Sequence, residues 1–90
     1  MARILTLHPE GKKGINISRQ KYDLMKSTIL ECLSKKQSTY TEIGAYAAGR
    51  LKGKLKGSIN WYVEIVKLDL ETRNMIERIP KTKPQLYRLK

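Results

Sequence analysis

Acidic side chains are scarce in this chain: 8 Asp and Glu stand against 19 Lys and Arg over 90 residues, leaving a net charge of +11. That imbalance creates a positive surface field and makes nucleic acid the first polyanion to consider as a partner. Cysteine is almost absent. Cys32 alone rules out an internal disulfide framework and fits a reducing, cytoplasmic setting. His8 is the sole histidine; it lies beside Pro9 in a turn, with no cysteine or carboxylate pattern that would build a metal site. Long apolar runs and an N-terminal apolar h-region are both missing, so neither secretion nor a membrane span is expected. No internal repeat, domain linker or low-complexity tract is visible. The expectation is one domain over residues 1–90, with a core small enough to benefit from a partner subunit.

Catalytic constellations are also lacking. Cys32 falls mid-helix near an apolar face, where an inert buried thiol is expected, and His8 is too distant in sequence to suggest a nucleophile pair. Gly53-Lys54-Leu55-Lys56-Gly57 has neither the strand-to-helix context nor the Ser/Thr of a phosphate-binding P-loop. No enzyme and no cofactor are expected.

Periodicity carries the positive signal. Arg3 to Leu7 reads as a short strand, His8 to Gly14 as a turn, and Ile15-Asn16-Ile17 as a segment able to pair back on it. Ser18 is placed to cap a first helix, whose Tyr22, Met25, Ile29 and Leu33 recur at the helical period, and Lys35-Lys36 suit its C-terminal dipole. After a short extended link at Ser38-Thr39-Tyr40, Thr41 is expected to cap a second helix carrying Ile43, Tyr46, Ala47 and Leu51. A third helix begins after Gly57-Ser58 and aligns Ile59, Tyr62, Val63, Val66 and Leu70 on one face. It stops at Arg73-Asn74, Asn being the best non-glycine residue for a left-handed position beyond a C-cap. Two alternating segments, 75–79 and 85–89, then flank a Lys-rich turn at 80–84. The predicted fold is α+β: a winged helix with helices near 18–35, 41–52 and 58–73, a C-terminal β-wing near 75–89 and an extra N-terminal strand or hairpin.

The segment Leu70-Glu71-Thr72-Arg73-Asn74-Met75-Ile76-Glu77-Arg78 resembles the L-x-x-x-G-[LIM]-[IV]-x-R junction between helix three and the wing of many bacterial winged helix-turn-helix regulators, with Asn74 in place of Gly. Over nearly its whole length the chain resembles a family of small uncharacterised bacterial winged-helix proteins. HPEGKKGINISRQKYDLMKSTI and GSINWYVEIVKLDLETRNMIERIP are the blocks that carry the likeness. The resemblance implies a fold and supplies no catalytic residue.

For function, the turn from Arg50 to Gly57 brings four cations and no acid to the start of the third helix, where unpaired N–H groups favour an anion. Lys52, Lys54, Lys56 and Lys67 are the expected phosphate partners there, with Arg78, Lys81 and Lys83 on the wing. The third helix itself holds one more acid than bases, so only its first turn, Ser58, Asn60 and Trp61, is expected in a DNA groove. Trp61, Ile65 and Leu68 form a second apolar stripe opposite the core face, at about 100° per residue. The N-terminal strand, a second subunit or a rotation of the helix would each account for it. The expectation is a double-stranded DNA-binding module of the transcription-regulator type. Two alternatives fit the same residues: a homodimerisation or protein-interaction module using the Trp61/Ile65/Leu68 face, and an RNA-associated basic protein.

Overall fold

Each of the three helices starts where a hydroxyl side chain accepts from a free backbone N–H of the first turn, the most local device the sequence has for setting a boundary. In the computed structural model, which describes residues 2–90, Ser18 caps α1 (Arg19–Lys35), Thr39 caps α2 (Tyr40–Leu51) and Ser58 caps α3 (Ile59–Thr72). The cap of α2 corrects the expectation of Thr41. Thr39 Oγ1 accepts from Glu42 N–H at 3.1 Å while Glu42 Oε1 accepts from Thr39 N–H at 2.9 Å, a reciprocal box that requires Glu three residues after the cap. The helix therefore starts at Tyr40, inside what reads as an extended link.

Asn74 ends α3 in the left-handed region, with φ at 62°. Met75 N–H reaches back to the Leu70 carbonyl at 2.9 Å and Asn74 N–H to that of Glu71 at 3.1 Å, the paired closure of a Schellman motif. Chain direction is thereby fixed for β4 (Ile76–Arg78), which pairs antiparallel with β5 (Leu86–Leu89). Thr82 and Gln85 pin the intervening turn: both donate to the Ile79 carbonyl, and Leu86 N–H donates to Thr82 Oγ1 at 2.9 Å. The segment before α2 contributes β3 (Ser38–Thr39), which pairs with β5, so the three-stranded sheet runs β3-β5-β4.

A second, two-stranded antiparallel sheet joins β1 (Arg3–Leu5) to β2 (Asn16–Ser18), with Ile4 opposite Ile17. The architecture is α+β, three helices with two small antiparallel sheets.

The core forms where the helix faces converge. Tyr22, Met25, Ile29 and Leu33 from α1 meet Ile43, Ala47 and Leu51 from α2 and Val63, Val66 and Leu70 from α3, with Ile76 and Tyr87 closing it from the sheet. Polar groups inside this core are satisfied. Asp69, fully buried, accepts from Leu7 N–H at 2.8 Å, from the Tyr22 hydroxyl and from Arg73 Nε, and so ties the N-terminal hairpin to α1 and α3. Leu7, Gly14 and Ile15 of that hairpin lie over Ile65 and Leu68, leaving a cavity of about 70 Å³ between them. Ile65 and Leu68 of the second apolar stripe are thus covered within the chain, and Trp61 is not.

Candidate nucleic-acid interface

Leu55 organises the basic turn between α2 and α3. Its side chain is buried in the core, so the flanking Lys54 and Lys56 point to solvent together with Lys52. Gly53 and Gly57, with φ of 77° and 102°, supply the backbone turns on either side, conformations that cost residues with a Cβ. Lys52, Lys54 and Lys56 have no carboxylate within ion-pair distance among the described residues. This is informative because most acids are occupied. Of the eight carboxylates only Glu64 lacks an ion pair among the described residues; the other seven hold cations elsewhere on the surface or in the core. Lysines without an ion pair are therefore found along α1, on the α2–α3 turn and on the β4–β5 turn, and only the two turns are free of acids.

The first turn of α3 is open to solvent. Ser58 is exposed, its Oγ accepting from Trp61 N–H at 3.2 Å, which leaves its own hydrogen free to donate. Asn60 is exposed beside Gly44 of α2, where an added Cβ would come within 3.1 Å of Asn60 Oδ1. The Tyr40 hydroxyl donates to the Asn60 carbonyl at 3.3 Å. Burial, and after it the nearby Glu64 carboxylate, pushes the Tyr40 phenol up from its ordinary value. Trp61 is 44% exposed and meets Tyr62 edge-to-face, with ring centroids 4.9 Å apart. Lys21 of α1 reaches the same cluster, its Nζ 3.4 Å from the Tyr62 hydroxyl.

Four expected site residues are placed differently from their sequence reading. Lys67 is 2% exposed: its Nζ pairs with Glu71 at 3.1 Å and lies 4.7 Å from the centroid of Tyr87, so it is a core cation out of reach of phosphate. Ile65 is buried and Leu68 half-buried under the hairpin, which leaves Trp61 as the open member of its stripe. Arg78 is half exposed but already engaged, 2.6 Å from Glu71, whose hydrogen bond pushes the guanidinium further up. Lys81 and Lys83 remain exposed on the pinned β4–β5 turn. Lys21 is absent from the sequence reading of the site because it joins the cluster through a contact between elements distant in sequence, which no local pattern marks; Glu64 lies one turn on from Asn60 along α3.

Elsewhere, Cys32 is buried, with its Sγ 3.7 Å from Ser38 Oγ, at the floor of a surface cleft of about 520 Å³ between α1 and α2. Among the described residues no cluster of three or more His, Cys, Asp or Glu is placed to hold a metal ion, and no helix is long and apolar enough to cross a membrane.

A family model described as a family of unknown function, DUF6958, matches residues 3–87. Neither the curated proteins nor the solved structures provide a match to the chain.

Proposed function

The chain belongs to the DUF6958 family, and from that premise we propose that it is a winged-helix module that binds double-stranded DNA. The winged-helix reading is supported by the order helix, short strand, two helices, two strands, and by the sheet order in which the short strand pairs with the last one. One observation carries the binding reading: three exposed lysines without carboxylate partners, Lys52, Lys54 and Lys56, lead directly into the exposed first turn of α3. Cations there meet phosphate oxygens beside the free N–H groups of the helix start. Lys81 and Lys83 grip the backbone at a second point, on a turn whose side-chain hydrogen bonds hold its shape.

Ser58 and Asn60 are the groups that reach groove edges in this reading. Further along α3 the helix turns away from DNA: Lys67 is internal, and Ile65 and Leu68 lie beneath the hairpin. With so few base contacts the module binds DNA mainly through phosphate and discriminates weakly between sequences. It acts as a binding module, not an enzyme. A dimer built on the Trp61/Ile65/Leu68 stripe loses its support, since two of the three residues are covered within the chain.

Titration of a duplex of arbitrary sequence at two salt concentrations tests the proposal. Four or so phosphate contacts give a log–log salt slope of about −4, so affinity falls about 100-fold or more between about 50 and 200 mM. No binding at the lower salt overturns the reading, and tighter binding of an RNA duplex of the same sequence replaces DNA as the ligand.

A further inference from the structure

The single tryptophan occupies an unusual place for a residue of its size. It sits in the first turn of α3, 44% exposed, although the other members of its stripe have been covered by the N-terminal hairpin. The hairpin that could have extended over it stops short. Its ring packs edge-to-face against Tyr62, at 4.9 Å and 86° between planes, and Lys21 contacts the same Tyr62. Polar groups frame it, with Asn60 beside it and Glu64 one turn on, both exposed, and Lys56 just before the helix. Glu64 is the one carboxylate without an ion pair among the described residues.

An exposed indole that follows a turn of unpaired lysines is poorly suited to an intact duplex, whose bases hide their faces in the stack. It is well suited to an unstacked base, which offers a π-face to the ring and a phosphate to the cations.

We propose that Trp61 is a stacking platform for an unpaired base, so that the preferred ligand is a duplex ending in, or interrupted by, single-stranded nucleic acid. Lysines of the α2–α3 turn and the wing hold the duplex backbone, and the first unpaired base lies on Trp61. This rests on the duplex-binding reading above and adds the structure of the ligand at the helix tip. Stacking needs only a base face, so a deoxyribose and a ribose overhang serve alike.

Three probes of one sequence test it: a blunt duplex, the same duplex with a short single-stranded overhang, and that duplex with a ribonucleotide overhang. Because Trp61 is the only tryptophan, intrinsic fluorescence reports on this ring alone. Both overhang probes are expected to bind about tenfold tighter than the blunt duplex, within the usual range for one base on an aromatic ring. They alone are expected to quench the tryptophan emission. Trp61→Ala should bind all three at the blunt-duplex affinity, and Trp61→Phe should keep part of the preference. Equal binding of blunt and overhang probes by the native protein overturns the proposal, as does a preference that survives in Trp61→Ala. In either case measurable blunt-duplex binding leaves the DNA-binding reading standing; absence of binding to every probe removes both.

Discussion

Lys67 shows how little a residue's type says about its role. On a helix in a basic protein it looks like a phosphate contact, yet it is held between Glu71 and the faces of Tyr87 and Tyr40. Breaking one side of a buried ion pair strands the other charge, although Arg78 stays beside Glu71 and softens the loss. Lys67→Ala is therefore expected to cost about 2–4 kcal/mol of stability and to leave the salt slope of DNA binding unchanged. Lys56→Ala should do the reverse: unchanged stability by urea denaturation, and a slope reduced by about 0.9.

Tyr22 carries a second prediction at this scale, through its buried hydroxyl on Asp69. Burial first, and then that hydrogen bond, pushes the phenol from 10.0 up to about 12. The folded state thus keeps a proton that the unfolded chain releases sooner. Its stabilising contribution is whole below about pH 10 and is lost as pH rises through about 12, a change of about 2–3 kcal/mol. Tyr22→Phe should cost about 1–3 kcal/mol at neutral pH, because Asp69 loses a donor, and should remove this part of the alkaline decline. Denaturation midpoints of both proteins across that pH window measure the difference.

At the scale of elements, the N-terminal hairpin distinguishes this chain from a bare set of three helices and one three-stranded sheet. Gly14 lies so close to the opposite strand that a Cβ would fall 1.5 Å from the Thr6 carbonyl oxygen, a gap that only backbone movement can relieve. Gly14→Ala is expected to detach the hairpin from α3, exposing Ile65 and Leu68 and breaking the Leu7 N–H bond to Asp69. Binding of a hydrophobic dye, together with faster amide exchange at Leu7, would register that opening; native protection at Leu7 would contradict it.

Much of this element order is legible in the sequence because its devices are local. Ser18 and Ser58 cap within three residues, Asn74 sets a left-handed stop by its own backbone preference, and the helical stripes repeat every turn. Thr39 was missed in favour of Thr41 because both are threonines near the same boundary, and the partner that decides between them is Glu42. Burial of Lys67 was not legible, since Tyr40 and Tyr87 reach it from two other elements; the i+4 Glu71 was the one local hint. The fate of the second stripe depended on where the hairpin docks, which the short strand pattern alone does not specify. For the candidate site, the lysines of the turn and the open first turn of α3 are readable, whereas Lys21 enters only through tertiary contact.

For the whole molecule, the distribution of charge matters more than its sum. Ion pairs engage Arg50 of α2 and Lys67 of α3, and only Arg19 among the four cations of α1, while the α2–α3 turn carries three lysines without an ion pair. A field of this kind speeds encounter with a polyanion and fades as salt rises. The most direct measurement is the salt dependence of duplex binding by the native protein beside a variant with Lys52, Lys54 and Lys56 all changed to Ala. The variant should stay folded, bind more weakly at low salt and show a log–log slope shallower by about 2–3, from the loss of up to three phosphate contacts. Identical affinities and slopes for the two proteins would contradict a DNA-docking role for that turn.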